Sequence, residues 1–322
     1  MKRFLGKVLI FIIIISILIG VIVAFDIFVV GSQYKYSYDA SLLDKVERLK
    51  SINEPKIILV GNSNVSFGMD SEMLEEAFDM PVVNLGLHGS LGNAFHENIA
   101  KMNLNEGDIV IVCHSSFSDS DDIPDPELAW LTIDNHAEIA EIIREKDYPS
   151  MPIAYLAYVR KAILLWMTHT GNMIPEGCYS RTAFNKYGDV IYKPDDLQVD
   201  ENYFSDPKEA VRIPQINETC TNRLNEFNEY VIGRGATLLV AGYPIAYGKY
   251  SSIEKSELME FQNTLQSLLN CEVISNYTDY LFPYELFYNG ILHLNKTGAE
   301  VRTQQLINDL RVWMAGRGEK EN

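Results

Sequence analysis

Cysteine, histidine and basic residues are all scarce in this chain of 322 residues. The four cysteines, at positions 113, 178, 220 and 271, form no C-x-x-C pair and have no histidine at zinc-binding spacing, so no metal site is expected. Lysines and arginines number 27 against 44 aspartates and glutamates, which gives a formal net charge of -17. Such a chain lacks the basic surface that neutralises a phosphate backbone, and nucleic acid is therefore excluded as a partner.

A long apolar run lies near the N-terminus, directly after three basic residues, Lys2, Arg3 and Lys7. The run extends from Val8 to Phe25 and is interrupted only by one serine and one glycine. It approaches the roughly 20 apolar residues that a helix needs to cross a bilayer. Because basic flanks stay in the cytoplasm, the sequence predicts a single-pass anchor over residues 1–31, with residues 8–25 in the bilayer and the bulk of the chain extracytoplasmic.

A cleaved signal peptide is the alternative interpretation of this segment. Its apolar core would usually be about 7–15 residues long and would end at a small-residue cleavage site. The run here is longer and Ile22-Val23-Ala24 is a poor cleavage site, so an uncleaved anchor is favoured. An extracytoplasmic location would permit a disulfide such as Cys178 to Cys220, which the sequence alone leaves open.

Short β-branched runs alternate with helical periodicity beyond the anchor. The runs cover 57–60, 82–84, 109–112, 237–241 and 272–274, and they are too short for helices. Apolar residues recur every three or four positions between them, as in helices that cover a sheet. The pattern predicts an α/β fold of the doubly wound, flavodoxin-like type, with a mostly parallel sheet and helices on both faces.

The domain organisation follows from where this pattern begins and where it is interrupted. Residues 32–53 are expected to form a polar stalk with a short helix, and residues 54–322 the α/β domain. A stretch at about 118–217 fits no simple crossover and predicts a large insertion. Its most apolar part, 152–167, reads either as a helix buried under the insertion or as a membrane-surface or partner-binding helix, since Trp and Tyr stand beside basic residues there.

Two polar residues are candidates for nucleophilic chemistry. Ser63 lies in Gly61-Asn62-Ser63-Asn64, directly after the first predicted strand, where a turn would let its side chain project from the carboxyl edge of the sheet. His293 lies in a loop that enters the final predicted helix and could fold back over the same edge. A serine becomes a nucleophile when a base lies beside it, so the two side chains are predicted to converge within hydrogen-bonding reach.

The chain resembles the SGNH (GDSL-like) hydrolase superfamily, in particular membrane-anchored members associated with cell-envelope polysaccharide O-acylation. The resemblance rests on four stretches: GNSNVSFGMD from Gly61, VVNLGLHGSLG from Val82, FNKYGD from Phe184 and HLNKTGAEVRT from His293. It implies that Ser63 is the nucleophile and His293 the general base. It also implies that the backbone N–H of Gly89 helps to stabilise an oxyanion, with Asn64 lining the site.

Two departures from that family pattern bear on activity. Where the acidic partner of the histidine is expected, this chain has Asn289 or Gly290, and the nearest acidic alternative upstream is Asp279. Many family members also have an asparagine in a third sequence block that donates to the oxyanion, and it has no clear equivalent here, although Ser115 could replace it. His114, at the end of the third strand, lies close to the expected site. Loss of the acidic residue from a serine triad can cost about four orders of magnitude in rate.

The resemblance implies an extracytoplasmic serine esterase or O-acyltransferase that acts on acyl groups of cell-envelope glycans through an acyl-enzyme. Such chemistry requires no organic cofactor and no metal. The second hypothesis is a catalytically degenerate accessory protein that keeps the fold and binds a glycan or a membrane-bound O-acyltransferase. Asn289 is the residue that favours this second hypothesis.

Overall fold

A computed structural model of the protein describes residues 2–134, 136–191, 204, 211–249 and 251–318. Its strands are β1 (Ile57–Val60), β2 (Val82–Asn84), β3 (Ile109–Val112), β4 (Thr237–Val240), β5 (Ile245–Ala246), β6 (Glu272–Val273) and β7 (Leu281–Phe282). Five of them form one parallel sheet in the order β2-β1-β3-β4-β6, and β5 pairs with β7 in a separate parallel ribbon. The predicted α/β class with a mostly parallel sheet is confirmed.

The helices divide into the N-terminal helix and those of the folded domain. They are α1 (Lys2–Phe25), α2 (Leu42–Ser51), α3 (Ser63–Gly68), α4 (Ser71–Phe78), α5 (Asn93–Ala100), α6 (Pro126–Ile133), α7 (Met151–Thr168), α8 (Glu218–Ile232), α9 (Lys255–Leu268) and α10 (Lys296–Gly318). Short 3₁₀ turns connect several of them. Among the described residues, one helical stretch, Arg3–Tyr34, is long and apolar enough to cross a membrane.

The central strands β1 and β3 are buried on both sides, which explains why their sequences are continuous β-branched runs rather than alternating patterns. Their side chains contribute alternately to two apolar clusters. Ile58 and Val110 join one cluster with residues of α2, α5, α8 and α9. Leu59 and Ile111 join the other, which contains Leu74 of α4 and residues of α10.

The predicted stalk is wrong, because residues 32–53 belong to the folded domain. Helix α2 places Leu42, Val46 and Leu49 on one face and buries all three in the main apolar cluster. Lys45 is also buried and donates hydrogen bonds to the backbone oxygens of Asn84 and Gly188 at 3.0 and 2.6 Å. A charged residue on the apolar face gave this segment the composition of a solvated linker, although it covers the sheet.

Helix α4 is capped by Asp70, whose side chain accepts a hydrogen bond from Met73 N. The four cysteines are free and buried, so the disulfide that the sequence left open is not formed. The region predicted as an insertion contains α6 and α7, and its residues 135, 192–203 and 205–210 lie outside the described residues.

Candidate active site

The turn between β1 and α3 presents Ser63 as the first residue of a helix. Asn62 caps that helix, since its Oδ1 accepts from Asn64 N at 2.9 Å, and its Nδ2 donates to Ser115 Oγ at 2.7 Å. Gly61 has no room for a side chain, because a Cβ there would lie 2.6 Å from Val65 Cγ2. These contacts fix the turn, and Ser63 remains partly exposed at the end of β1.

Ser63 and His293 meet as the sequence predicts. The Oγ of Ser63 lies 2.8 Å from Nε2 of His293, although 230 positions separate the two residues. Phe67, one helical turn beyond Ser63, stacks on the imidazole with ring centres 4.1 Å apart and planes inclined by 11°. Tyr288 N donates to His293 O at 2.8 Å, which closes the loop that carries the histidine. The imidazole is therefore held both by stacking and by its own backbone.

The other imidazole nitrogen is bonded to an amide rather than to a carboxylate. Nδ1 of His293 lies 2.7 Å from Oδ1 of Asn289, and the amide nitrogen of Asn289 donates to Tyr179 Oη at 2.8 Å. Because an amide oxygen only accepts, this arrangement places the proton on Nδ1 and leaves Nε2 free to accept from Ser63 Oγ. Tyr179 Oη accepts from the amide nitrogen and so supports the Asn289 side chain in this orientation.

Among the residues that the structure describes, no charged side chain replaces the missing acid at this position. Asp279 is exposed in the 3₁₀ turn Tyr277–Tyr280, and Nδ1 of His293 is already bonded to Asn289, so Asp279 is not the orienting residue. Burial, followed by the nearby imidazole of His88, lowers the pKa of His293 to about 4. The imidazole is therefore neutral at pH 7 and can accept a proton, but it is a weak base.

No protein-family model and no curated protein matches this chain.

The remaining predicted site residues have different positions. Gly89 begins a 3₁₀ turn beside the nucleophile turn, where a Cβ on it would lie 3.6 Å from the Cβ of Asn62. Asn64 is buried and its amide donates to Asn62 Oδ1 and to Cys113 O, so its side chain stabilises the turn instead of lining an open site. Ser115 touches Ser63 only indirectly, through Asn62.

His114 is not part of the site around Ser63. Its side chain is fully buried and its Nε2 lies 2.9 Å from Oε1 of Glu97. The other carboxylate oxygen, Oε2, accepts from Arg223 Nε at 3.0 Å. The prediction placed His114 near the site because it follows β3. The side chain instead turns into the interior, where it belongs to a buried charged cluster.

Residues that the sequence did not single out support helix α3, which carries Ser63. Tyr38, from the segment after the anchor, bonds Ser66 Oγ at 3.0 Å, and its ring lies 6.1 Å from that of Tyr179 and 6.3 Å from that of Phe67. Tyr179 comes from the region predicted as an insertion. Neither tyrosine stands in a recognisable motif, so only the folded structure connects them with Ser63.

The stretch FNKYGD, one of the four that carry the family resemblance, forms a clasp beneath the same helix. Asp189 accepts from Ser71 Oγ at 2.6 Å and from Asn84 Nδ2 at 2.7 Å, and Asn84 Nδ2 also donates to Val65 O at 3.0 Å. All of these side chains are buried. The clasp therefore ties the end of β2 to α3 and α4, and it supports the helix that carries Ser63.

Proposed function

We propose that this chain is a membrane-anchored extracytoplasmic serine hydrolase or O-acyltransferase of the SGNH type, acting on O-acyl groups of cell-envelope glycans. The observation that carries the proposal is the 2.8 Å contact between Ser63 Oγ and His293 Nε2, in a histidine whose Nδ1 is held by Asn289. In this proposal the sheet is doubly wound and residues 118–217 are an insertion into it. The glycan substrate is taken from the family resemblance.

The first chemical step follows from the hydrogen-bond directions. Ser63 Oγ attacks the acyl carbonyl while its proton passes to Nε2 of His293. The resulting imidazolium keeps its Nδ1–H on Asn289 Oδ1, which stabilises it as a dipole rather than as a charge. The imidazolium then protonates the departing sugar oxygen, and the acyl group remains on Ser63.

The developing oxyanion would be stabilised by backbone donors. Ser63 is the first residue of α3 and Gly89 the first of the neighbouring 3₁₀ turn, so the N–H groups of both precede the hydrogen-bonded part of their helices. Within the described residues neither N–H donates to a protein acceptor. Backbone donors of this kind stabilise charge where it develops in the transition state. Water or a sugar hydroxyl, deprotonated by His293, would then release the acyl group.

Reaction with a fluorophosphonate probe tests this function directly. The full chain in detergent should be labelled, and Ser63→Ala should abolish labelling because the probe requires an activated serine. Ser256→Ala, on the exposed start of α9, is the matched control and should label like the parent protein. Labelling that persists undiminished in folded Ser63→Ala would contradict the assignment.

The proposed location has its own test. In this proposal Lys2, Arg3 and Lys7, at the start of α1, keep the N-terminus in the cytoplasm and leave the domain outside. A reporter that is active only outside the cytoplasm, fused after residue 318, should therefore be active, and one that requires the cytoplasm should be silent. The reverse pair of results would overturn both the location and the glycan substrate.

A second candidate function is favoured by Asn289. Without a carboxylate beside it, His293 is a weak base with a pKa of about 4, as expected if the triad has decayed in a protein that binds a glycan or a membrane-bound O-acyltransferase. A folded protein that neither reacts with the probe nor hydrolyses activated esters would support this accessory role over catalysis.

A further inference from the structure

Helix α7 is apolar on two opposite faces, and the described part of the chain covers one of them. The covered face packs on α6 and on the chain that follows α1. Tyr158 and Ala162 are buried there in a small cluster with Val30 and Tyr34, and the rings of Tyr34 and Tyr158 stack 5.0 Å apart. The helix is therefore joined to the exit of the anchor, and it does not cover the central sheet.

The opposite face is an apolar stripe, here called the outer stripe. It consists of Ile153, Leu156, Arg160, Leu164 and Met167, whose spacing of three or four residues places them along one side of α7. The four apolar members are 76%, 70%, 62% and 68% exposed. Exposed apolar surface of this continuity marks a contact with a membrane or a partner.

Contacts with the anchor place α7 at the boundary of the bilayer. The ring of Trp166 packs edge-on against Phe25 with centroids 6.5 Å apart, and Tyr155 Oη donates to Asp26 Oδ1 at 2.5 Å. Phe25 and Asp26 lie at the C-terminal end of the segment expected to cross the bilayer, residues 8–25. Trp and Tyr are enriched at this depth because one end of each side chain is apolar and the other polar.

The charge of α7 is opposite in sign to that of the whole chain. Its 18 residues include Arg160 and Lys161 and no acidic residue, in a protein of net charge -17. Arg160 stands in the middle of the outer stripe, from which its long side chain can reach lipid phosphates while its methylenes stay in apolar contact. Lys161 forms an ion pair with Glu127 of α6 at 3.4 Å. A basic and apolar surface beside an anchor suits an anionic lipid surface.

We infer that the outer stripe of α7 lies in the headgroup region of the leaflet from which α1 emerges. The protein then has two membrane contacts, a spanning helix and an interfacial helix, and the second limits how the domain can tilt about the first. The chain leaving α7 leads within 11 residues to Tyr179, which orients the triad amide. This inference requires the membrane anchor but is independent of esterase activity.

Spin-label depth measurements on the full chain in phosphatidylcholine–phosphatidylglycerol vesicles test the inference. The native cysteines are buried, so a label can be directed to Leu156→Cys or Leu164→Cys in the outer stripe. Val312→Cys on α10, where the parent residue is 75% exposed, is the matched control. We expect the two stripe labels to collide readily with oxygen and to lose collision with a water-soluble nickel chelate. The control label should collide with the chelate.

Two outcomes would overturn the inference. Stripe labels as accessible to the chelate as the Val312→Cys label would show that the stripe faces water. Labels screened from both oxygen and chelate would show that protein, either an integral-membrane partner or a second copy, covers the stripe instead of lipid. The fluorophosphonate reaction on the same samples reports the proposed function separately, because Ser63→Ala should leave label depth unchanged.

Discussion

His293 and His114 differ in partner, burial and access. His114 has a carboxylate partner, Glu97, at 2.9 Å, and both side chains are shut away from solvent beside Arg223. His293 has only the Asn289 amide on Nδ1, yet its Nε2 lies 2.8 Å from a serine hydroxyl in a partly exposed turn. The acidic partner expected in the triad is thus found at the other histidine.

His114 and His293 together show that a carboxylate beside a histidine is not by itself a sign of catalysis. Glu97 is shared between His114 and Arg223, and the arginine continues the network to Asp119 and Asp121 at 3.6 and 3.4 Å. Among the described residues, no serine or cysteine side chain is hydrogen-bonded to the imidazole of His114. We therefore propose that the buried cluster stabilises the fold and that the Ser63 site carries out the reaction. Substitutions should separate these two roles.

The largest effect is expected in the buried cluster. Arg223→Met removes the guanidinium partner of the buried Glu97 carboxylate, which should cost about 3–5 kcal/mol of unfolding free energy. Arg181→Met, which breaks the more exposed pair with Asp44, should cost about 1 kcal/mol or less in the same denaturant titration. Equal losses in the two variants would remove the distinction between the cluster and ordinary surface pairs.

Supplying the missing negative charge beside His293 should increase activity at the Ser63 site. Asn289→Asp places a carboxylate on Nδ1 of His293, so it should raise the imidazole pKa and the rate of ester hydrolysis at pH 7. We expect a gain of about 10- to 100-fold, below the roughly 10⁴-fold seen when the wrong tautomer is also corrected, since Asn289 already selects the right one. Asn263→Asp on the exposed face of α9 is the control. A rate that does not change would mean that His293 is not the base.

The pH profile of kcat/KM should reflect the fact that the partner of His293, Asn289, is uncharged. Burial lowers the pKa of His293 to about 4, so the base is unprotonated above that pH and is lost as the pH falls below it. Activity should therefore be flat from about pH 5.5 to 8 and decline about tenfold per unit below pH 4. In Asn289→Asp this acidic decline in kcat/KM should move to higher pH. A decline centred near pH 7 in the parent protein would contradict the assigned environment of the imidazole.

The smallest effect is expected from Tyr179→Phe. Removing the hydroxyl frees the Asn289 amide to turn over, at a cost of about 1 kcal/mol, or about fivefold in kcat/KM. The loss should shrink when Asn289→Asp is also present, because the two oxygens of a carboxylate are equivalent. Tyr148→Phe, at an exposed position, should have no effect. An undiminished loss in the double variant would assign Tyr179 a packing role only.

The sequence predicted the strands, the parallel sheet and the meeting of Ser63 with His293, because strand runs and turn residues are local signals. It did not predict Tyr179 or Tyr38, whose importance lies in contacts made across 110 and 28 positions. The prediction of a stalk was wrong because the charge of Lys45 made a buried helix face look solvent-exposed. The Lys45 ammonium is buried with two backbone carbonyl oxygens that accept hydrogen bonds from it. His114 was misplaced because a residue that follows a strand can turn either to the open edge or into the interior.

An acyl-enzyme on Ser63 can be trapped and identified by its mass. The full chain should be mixed with an activated acetyl ester, quenched in acid within the first turnover and digested for peptide mass spectrometry. We expect an acetyl group on the peptide that carries Ser63, its absence after His293→Ala, and more of it in Asn289→Asp. Acetyl groups found only on lysines, or on Ser63 to the same extent in His293→Ala, would contradict a Ser63–His293 nucleophile.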